Sequence, residues 1–192
     1  HDEERLMYKN LQYGNSASGY DVTDLDTALQ RMSALGAVTL TIPGPKMIWH
    51  FGELGMENSI FTCNDRSIND ESGSDGDCKL DQPTRNQIYN DWARLNDLKV
   101  NEDVFEGDYS IDSGDTTVRI YIWNDNLPST ELKNVVILAN FAVTAQDIVP
   151  DFPYTGTWYD LMDETGNTSI NVSNTTATIN IPAGEFRIYG NA

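Results

Sequence analysis

The first five residues, His1-Asp2-Glu3-Glu4-Arg5, put an imidazole and three carboxylates side by side. These are the groups that do acid–base work or steady a developing positive charge. Read without context, the segment is a mobile chain end, because termini are where order is lost first. A second candidate is the pair Cys63 and Cys78, which brackets five acids, Asp65, Asp70, Glu71, Asp75 and Asp77. No histidine and no second cysteine pair lies between the two thiols, so a zinc site is disfavoured. The acids also lack the Asp-x-Asn-x-Asp-Gly spacing of a calcium loop, which leaves a solvated loop as the simpler reading. Joined as a disulfide, Cys63 and Cys78 would close a loop of about 15 residues and contribute about 3 kcal/mol, the alternative being two free thiols. His50 sits inside an apolar run and receives no role. Of the four tryptophans, Trp49 and Trp92 are expected in the core, whereas Trp123 and Trp158 fall in strands where a ring could be left exposed on one face of the sheet.

Several function classes are excluded at this stage. With 12 Lys+Arg against 30 Asp+Glu the net charge is −18, and the few cations are scattered, so the electrostatic footprint of a nucleic-acid binder is missing. The longest mainly apolar stretch, residues 134–145, holds 12 residues, too few for a membrane-spanning helix. A hydrophobic share of 39%, with 10% aromatics, is enough to bury a core. Neither an initiator methionine nor a signal peptide precedes Leu6, which reads as a fragment. Asn-x-Ser/Thr triplets begin at Asn167, Asn171 and Asn174; a polar strand region explains them as well as glycosylation does.

The elements that must carry these residues follow from periodicity. Residues 23–40 read as a helix capped by Thr23 with Asp26 three positions on, its stripe formed by Leu25, Ala28, Leu29, Met32 and Leu35. The Ile42-Pro43-Gly44-Pro45 break follows, and residues 47–51 then read as a strand apolar on both faces, the pattern of a buried parallel strand. Such a strand needs neighbours at both edges, and this chain offers none. Thr84 and Gln87 form a second capping pattern, followed by a stripe of Ile88, Trp92, Leu95 and Leu98. From Val104 onward the period becomes two. Val118, Ile120 and Ile122 alternate with Arg119, Tyr121 and Trp123. Residues 135–141 are apolar but for Asn140, and residues 157–161, 176–181 and 185–189 are further strands. Turn-forming residues stand between them at 124–126, 163–166 and 182–184. This pattern predicts an α+β chain whose second part, residues 101–192, is an antiparallel β-sandwich, with the boundary at 99–103.

A resemblance gathers these pieces. His1-Asp2, a helix ending in Ile42-Pro43-Gly44, the run Gly44-Pro45-Lys46-Met47-Ile48-Trp49-His50-Phe51-Gly52-Glu53-Leu54-Gly55, Asn140-Phe141-Ala142-Val143-Thr144, Gly156-Thr157-Trp158-Tyr159-Asp160 and Pro182-Ala183-Gly184-Glu185-Phe186-Arg187 resemble, in this order, the last part of the α-amylase family of glycoside hydrolases. The resemblance implies that residues 1–100 are the end of a (β/α)8 catalytic barrel and residues 101–192 the antiparallel β domain after it. Active sites of such barrels lie at the carboxyl ends of the strands. Asp2 would be the carboxylate that stabilises the transition state, and His1 would hydrogen-bond the sugar. Glu53 would be a structural or rim residue. The nucleophile and general acid that retaining hydrolysis needs, about 5 Å apart, would belong to earlier strands absent here, so the chain alone is expected to be inactive.

The parent enzyme would be bacterial and extracellular, periplasmic or cell-surface, acting on α-1,4-glucans such as starch. No cofactor is implied for this chain, and calcium in the parent cannot be assigned to residues here. The rival reading is a non-catalytic β module that binds carbohydrate or buttresses a neighbour. One further expectation concerns packing: the helix at 23–40 and the strand at 47–51 would expose apolar faces and favour self-association.

Overall fold

A computed structural model describes residues 3–49, 51–60 and 83–192. Its element order begins with α1 (Leu6–Tyr13), a minimal hairpin of β1 (Ser16–Ala17) and β2 (Tyr20–Asp21), and α2 (Leu25–Leu40). A 3₁₀ turn at Gly52–Leu54 precedes α3 (Pro83–Asn101). The eight remaining strands are β3 (Asp108–Ser113), β4 (Thr117–Trp123), β5 (Asn134–Asn140), β6 (Gln146–Ile148), β7 (Gly156–Asp160), β8 (Ser169–Val172), β9 (Ile179–Ile181) and β10 (Phe186–Gly190). No helix among the described residues is long and apolar enough to cross a membrane.

Two helix caps differ from the sequence reading, and the β1–β2 hairpin adds an element to it. The cap of α2 is Asp24, whose carboxylate accepts from Thr27 N and Thr27 Oγ at 3.0 Å each. Thr23 instead donates through N and Oγ to Asp21 Oδ1. A carboxylate at the positive end of a helix is the stronger cap of the two, and the amide and hydroxyl of Thr27 hold its pKa below the usual carboxylate value. In α3, Pro83 is the first helical residue, so Thr84 lies inside the helix and its hydroxyl donates to Asp26 across to α2. A proline with fixed φ and no N–H suits that first position. The β1–β2 turn is made by Ser18 and Gly19, both at positive φ, as a two-residue hairpin requires.

Six strands form one antiparallel sheet in the order β3-β4-β5-β10-β7-β8, and β6 pairs with β9 separately. The expected strands at 118–123, 135–141, 157–161 and 185–189 are present with ends shifted by a residue or two. In the 176–181 segment only Ile179–Ile181 is strand, because Asn174 Oδ1 accepts from Thr176 N and bends the chain there. The edge strand β3 is exposed along its whole length, so no buried stripe marks it in the sequence. Asp108 and Asp112 on it discourage edge-to-edge pairing with other chains.

Both faces of the sheet are covered, by different layers. On one face Ile120, Ile122, Val135, Ile137 and Ile188 share a core with Leu29, Met32, Ile88, Trp92, Leu95 and Phe105. On the other, Val136, Leu138, Trp158 and Tyr189 pack with Ile148 of β6, Ile181 of β9 and Phe152. This is why every residue of β5 is buried, as its unbroken apolar run requires. Arg31 of α2 ties the helical layer to the end of β5 by donating to the carbonyls of Phe141 and Ala142.

The α2 stripe is covered, contrary to expectation. Ala28, Leu29, Met32, Ala37 and Leu40 are all buried, because α3 and the sheet pack against them. Gly36 lets the indole of Trp92 lie directly against α2, where a Cβ would collide with the ring, and Trp92 Nε1 donates to Met32 O at 2.8 Å. Close helix approach of this kind offsets the ~1 kcal/mol that glycine costs inside a helix.

One titratable group sits awkwardly in this interface. Asp91 of α3 is half-buried, and burial pushes its carboxyl above the usual value, opposed by a hydrogen bond with Ser33. A raised native pKa means the folded chain holds the proton more tightly than the unfolded one, so stability falls as pH rises through that pKa. Asp91→Asn is therefore expected to raise the urea midpoint at pH 7 relative to the parent sequence. The gain should shrink as pH is lowered below the Asp91 pKa. A gain that persists unchanged into acid would refute the assignment.

Candidate functional site

Residues 47–49 are not strand, and neither is Phe51. Residues 45–49 carry no regular structure, and Phe51 takes a left-handed conformation at φ 59 before the Gly52–Leu54 turn. A strand gains its backbone hydrogen bonds only from neighbours, and no described strand of this chain reaches these residues. Met47, Ile48 and Trp49 are consequently exposed, Met47 at 79% and Trp49 at 43%. The expectation that Trp49 belongs to the core is corrected by that exposure.

These residues rim a hollow of about 340 Å³ whose floor is Met7 of α1 and Met32 and Leu40 of α2. Glu3, Glu4 and Arg5 form its opposite lip. The segment leading to the chain start is thereby pinned. Glu4 accepts from Ser59 Oγ at 2.5 Å and from Ile60 N at 3.1 Å, and Glu3 accepts from Lys9 Nζ. The Lys9 ammonium holds the Glu3 carboxyl below its usual value. Burial lowers the Arg5 guanidinium from its usual value, against the opposing charges of Glu4, Glu53 and Glu57.

The loop that brings Gly55 and Met56 to this hollow is held by Arg85, a residue that the sequence reading passed over. It projects from the first turn of α3, is 2% exposed, and donates to Leu54 O at 2.9 Å, Gly55 O at 2.7 Å and Glu57 Oε2 at 2.7 Å. Three positions before Ile88, it occupies a place on the buried stripe of α3. A cation at a stripe position was the available signal. Gly55, at φ 61, packs where a Cβ would meet Leu29, so the clamped loop is seated directly on α2.

His1 and Asp2 lie outside the described residues, as do His50, Cys63, Cys78 and the acids between the cysteines. Glu53 is half-buried in the 3₁₀ turn, near Arg5. Trp92 is core, as expected, and Trp158 is fully buried, which removes it as a sugar platform. Trp123 is half-buried and stacked on Tyr121, ring centroids 4.8 Å apart. No group of three or more His, Cys, Asp or Glu able to hold a metal ion occurs among the described residues.

Comparison with known proteins separates sequence from fold. No family model matches the sequence, and no curated protein matches it. Solved structures do match. AmyP, crystallised with maltose, superposes with a TM-score of 0.64 over 94% of this chain and 37% of its own, at 14% identity. The maltogenic α-amylase AmyB of Thermotoga neapolitana gives 0.63 over 99% and 39%, at 12% identity. The pullulanase of Anoxybacillus sp. LM18-11 gives 0.58 over 94% and 27%, at 10% identity. The chain spans between about a quarter and two fifths of the length of these proteins. A six-stranded antiparallel sheet backed by helices, built from residues that share so little identity with theirs, is the fold of a segment of α-amylase family enzymes.

Proposed function

We propose that this chain is the closing part of the catalytic barrel, residues 1–100, together with the following β domain, residues 101–192, of a retaining α-amylase-type glycoside hydrolase acting on α-1,4-glucans. The parent is read as a secreted bacterial enzyme. The observation that carries this reading is the fold shared with AmyP over 94% of the chain. In it Asp2 stabilises positive charge as the sugar becomes oxocarbenium-like, and His1 hydrogen-bonds the same ring. A fixed carboxylate contributes most where charge develops, because its interaction strengthens between ground state and transition state.

The test uses the longest gene product that contains this chain, with maltoheptaose as substrate. Hydrolysis with retention is expected. Asp2→Asn should lower kcat by about 10²–10³, the range for losing one fixed electrostatic group, with a smaller change in KM. The 192-residue chain alone should release no sugar, since retaining hydrolysis needs a nucleophile and a general acid beyond Asp2. Full activity of Asp2→Asn, or turnover by the short chain, would refute the reading.

A further inference from the structure

We propose that two copies of this chain associate face to face across the apolar hollow, the 46–49 lip of each copy seating on the 3–5 lip of the other. The sequence predicts apolar faces on both α2 and the 47–51 segment. The stripe of α2 is covered by α3 and the sheet, whereas Met47, Ile48 and Trp49 are exposed, and so is Leu6, which adjoins the facing lip. Together with the floor of Met7, Met32 and Leu40 they form one continuous apolar surface. Contiguous apolar patches rimmed by charge mark association sites.

The rim selects a second copy as the partner. One lip carries a cation, Lys46, beside its apolar residues, and the facing lip sets Glu3 and Glu4 against the single cation Arg5. A two-fold axis lying across the hollow brings each lip onto the unlike lip of the other copy, so the surface is complementary to itself, as an isologous dimer requires. Lys46 has no acidic partner among the described residues; its ammonium donates to the carbonyls of Pro43 and Gly44 at 3.3 and 3.1 Å. The Glu3 side chain, paired with Lys9, is still 83% exposed and open to a second cation. The seat can adapt, since residues 45–49 carry no regular structure and methionine side chains fill irregular space. Trp49 supplies the anchor, because a large aromatic entering a hollow of about 340 Å³ is the kind of contact that carries most of an interface's energy.

Long-range charge opposes the pairing. Each copy bears −18, so two copies repel at low ionic strength, and salt screens that repulsion beyond about 10 Å at 0.1 M. Apolar burial, which drives the association, is not weakened by salt. The dimer should therefore tighten as salt rises, whereas one held by surface ion pairs would loosen. Lys46 and Glu3 set the register of the pair more than its strength. The pairing belongs to the 192-residue chain and does not rest on the catalytic reading of Asp2.

Sedimentation equilibrium of this chain reads the association, with a thiol reductant present so that Cys63 and Cys78 cannot link copies. A monomer–dimer equilibrium with a Kd on the order of 10 µM is expected at about 0.15 M salt, the strength of a small interface. Raising the salt to about 0.5 M should lower the Kd by about threefold. Trp49→Ala should raise it by about tenfold or more. Lys46→Glu, on the exposed lip, should raise it by about fivefold by setting acid against acid, and adding Glu3→Lys should restore the parent value. This charge swap decides the matter if Trp49→Ala alters the circular dichroism of the chain. A monomer at every concentration and salt would overturn the proposal and leave the hollow to a different polypeptide. A dimer that tolerates these substitutions would overturn it as well, since the contact would then lie elsewhere, with the exposed β3 edge as the first alternative. So would a dimer that loosens in salt, because surface ion pairs would then hold the copies together.

Discussion

Arg85→Met is expected to be among the most damaging single substitutions in the helical layer, costing about 3 kcal/mol. The guanidinium is 2% exposed and closes the 54–57 loop onto α3 through two carbonyls and one carboxylate. Methionine keeps the stem but leaves the Leu54 and Gly55 carbonyls without this donor. Removing one partner of a buried pair typically costs 3–5 kcal/mol. The low end applies because the Glu57 side chain, 21% exposed, can recover water, whereas the carbonyls beneath it cannot. Glu57→Gln should accordingly cost under about 1 kcal/mol. Urea unfolding followed by circular dichroism reads both. Equal effects from the two variants would mean that the ion pair, and not the carbonyl clamp, holds the loop.

Trp158→Ala is expected to cost about 3–5 kcal/mol, the range for truncating a large buried aromatic. Its ring is fully buried and lies 4.7 Å from Phe152 and 5.2 Å from Tyr154 between centroids, with Nε1 donating to Tyr154 O at 3.3 Å. A hole there would undercut the whole outer core, since Phe152 also contacts Tyr189. Trp158→Phe should lose only about 1–2 kcal/mol, because most of the apolar contact survives. Thermal denaturation of the two variants makes the comparison. A mild effect of Trp158→Ala would mean that Phe152 and Tyr154 collapse into the space.

These two residues mark where local pattern stopped being informative. Trp158 and Trp123 each alternate within a strand of the same sheet, and period alone gives both the same standing. Their fates differ because Trp158 belongs to the core beneath β6 and β9, while Trp123 lies outside it. Arg85 shows the converse. A cation on an apolar stripe contradicts the stripe unless its charge is consumed, and the loop that consumes it lies some 30 residues earlier in the chain. The Thr23 cap failed more locally: Asp24, one residue on, offered a charged acceptor to the same helix end.

What the sequence by itself determined are the elements whose signal is carried within a dozen residues: the stripes of α2 and α3, the alternation of β4, the double-sided burial of β5 and the turn chemistry between strands. Asp163 belongs here, its carboxylate held well below the usual range by the hydroxyls and amides of Thr165 and Thr168 in the turn expected at 163–166. Only the tertiary structure decided that residues 47–49 stay out of any sheet, that α2 finds cover in α3 and the sheet, and that one tryptophan is core while another faces water. The physical reason is common to all three. Burial and strand pairing are properties of what lies opposite a segment, and nothing in its own residues specifies whether that opposite surface is present.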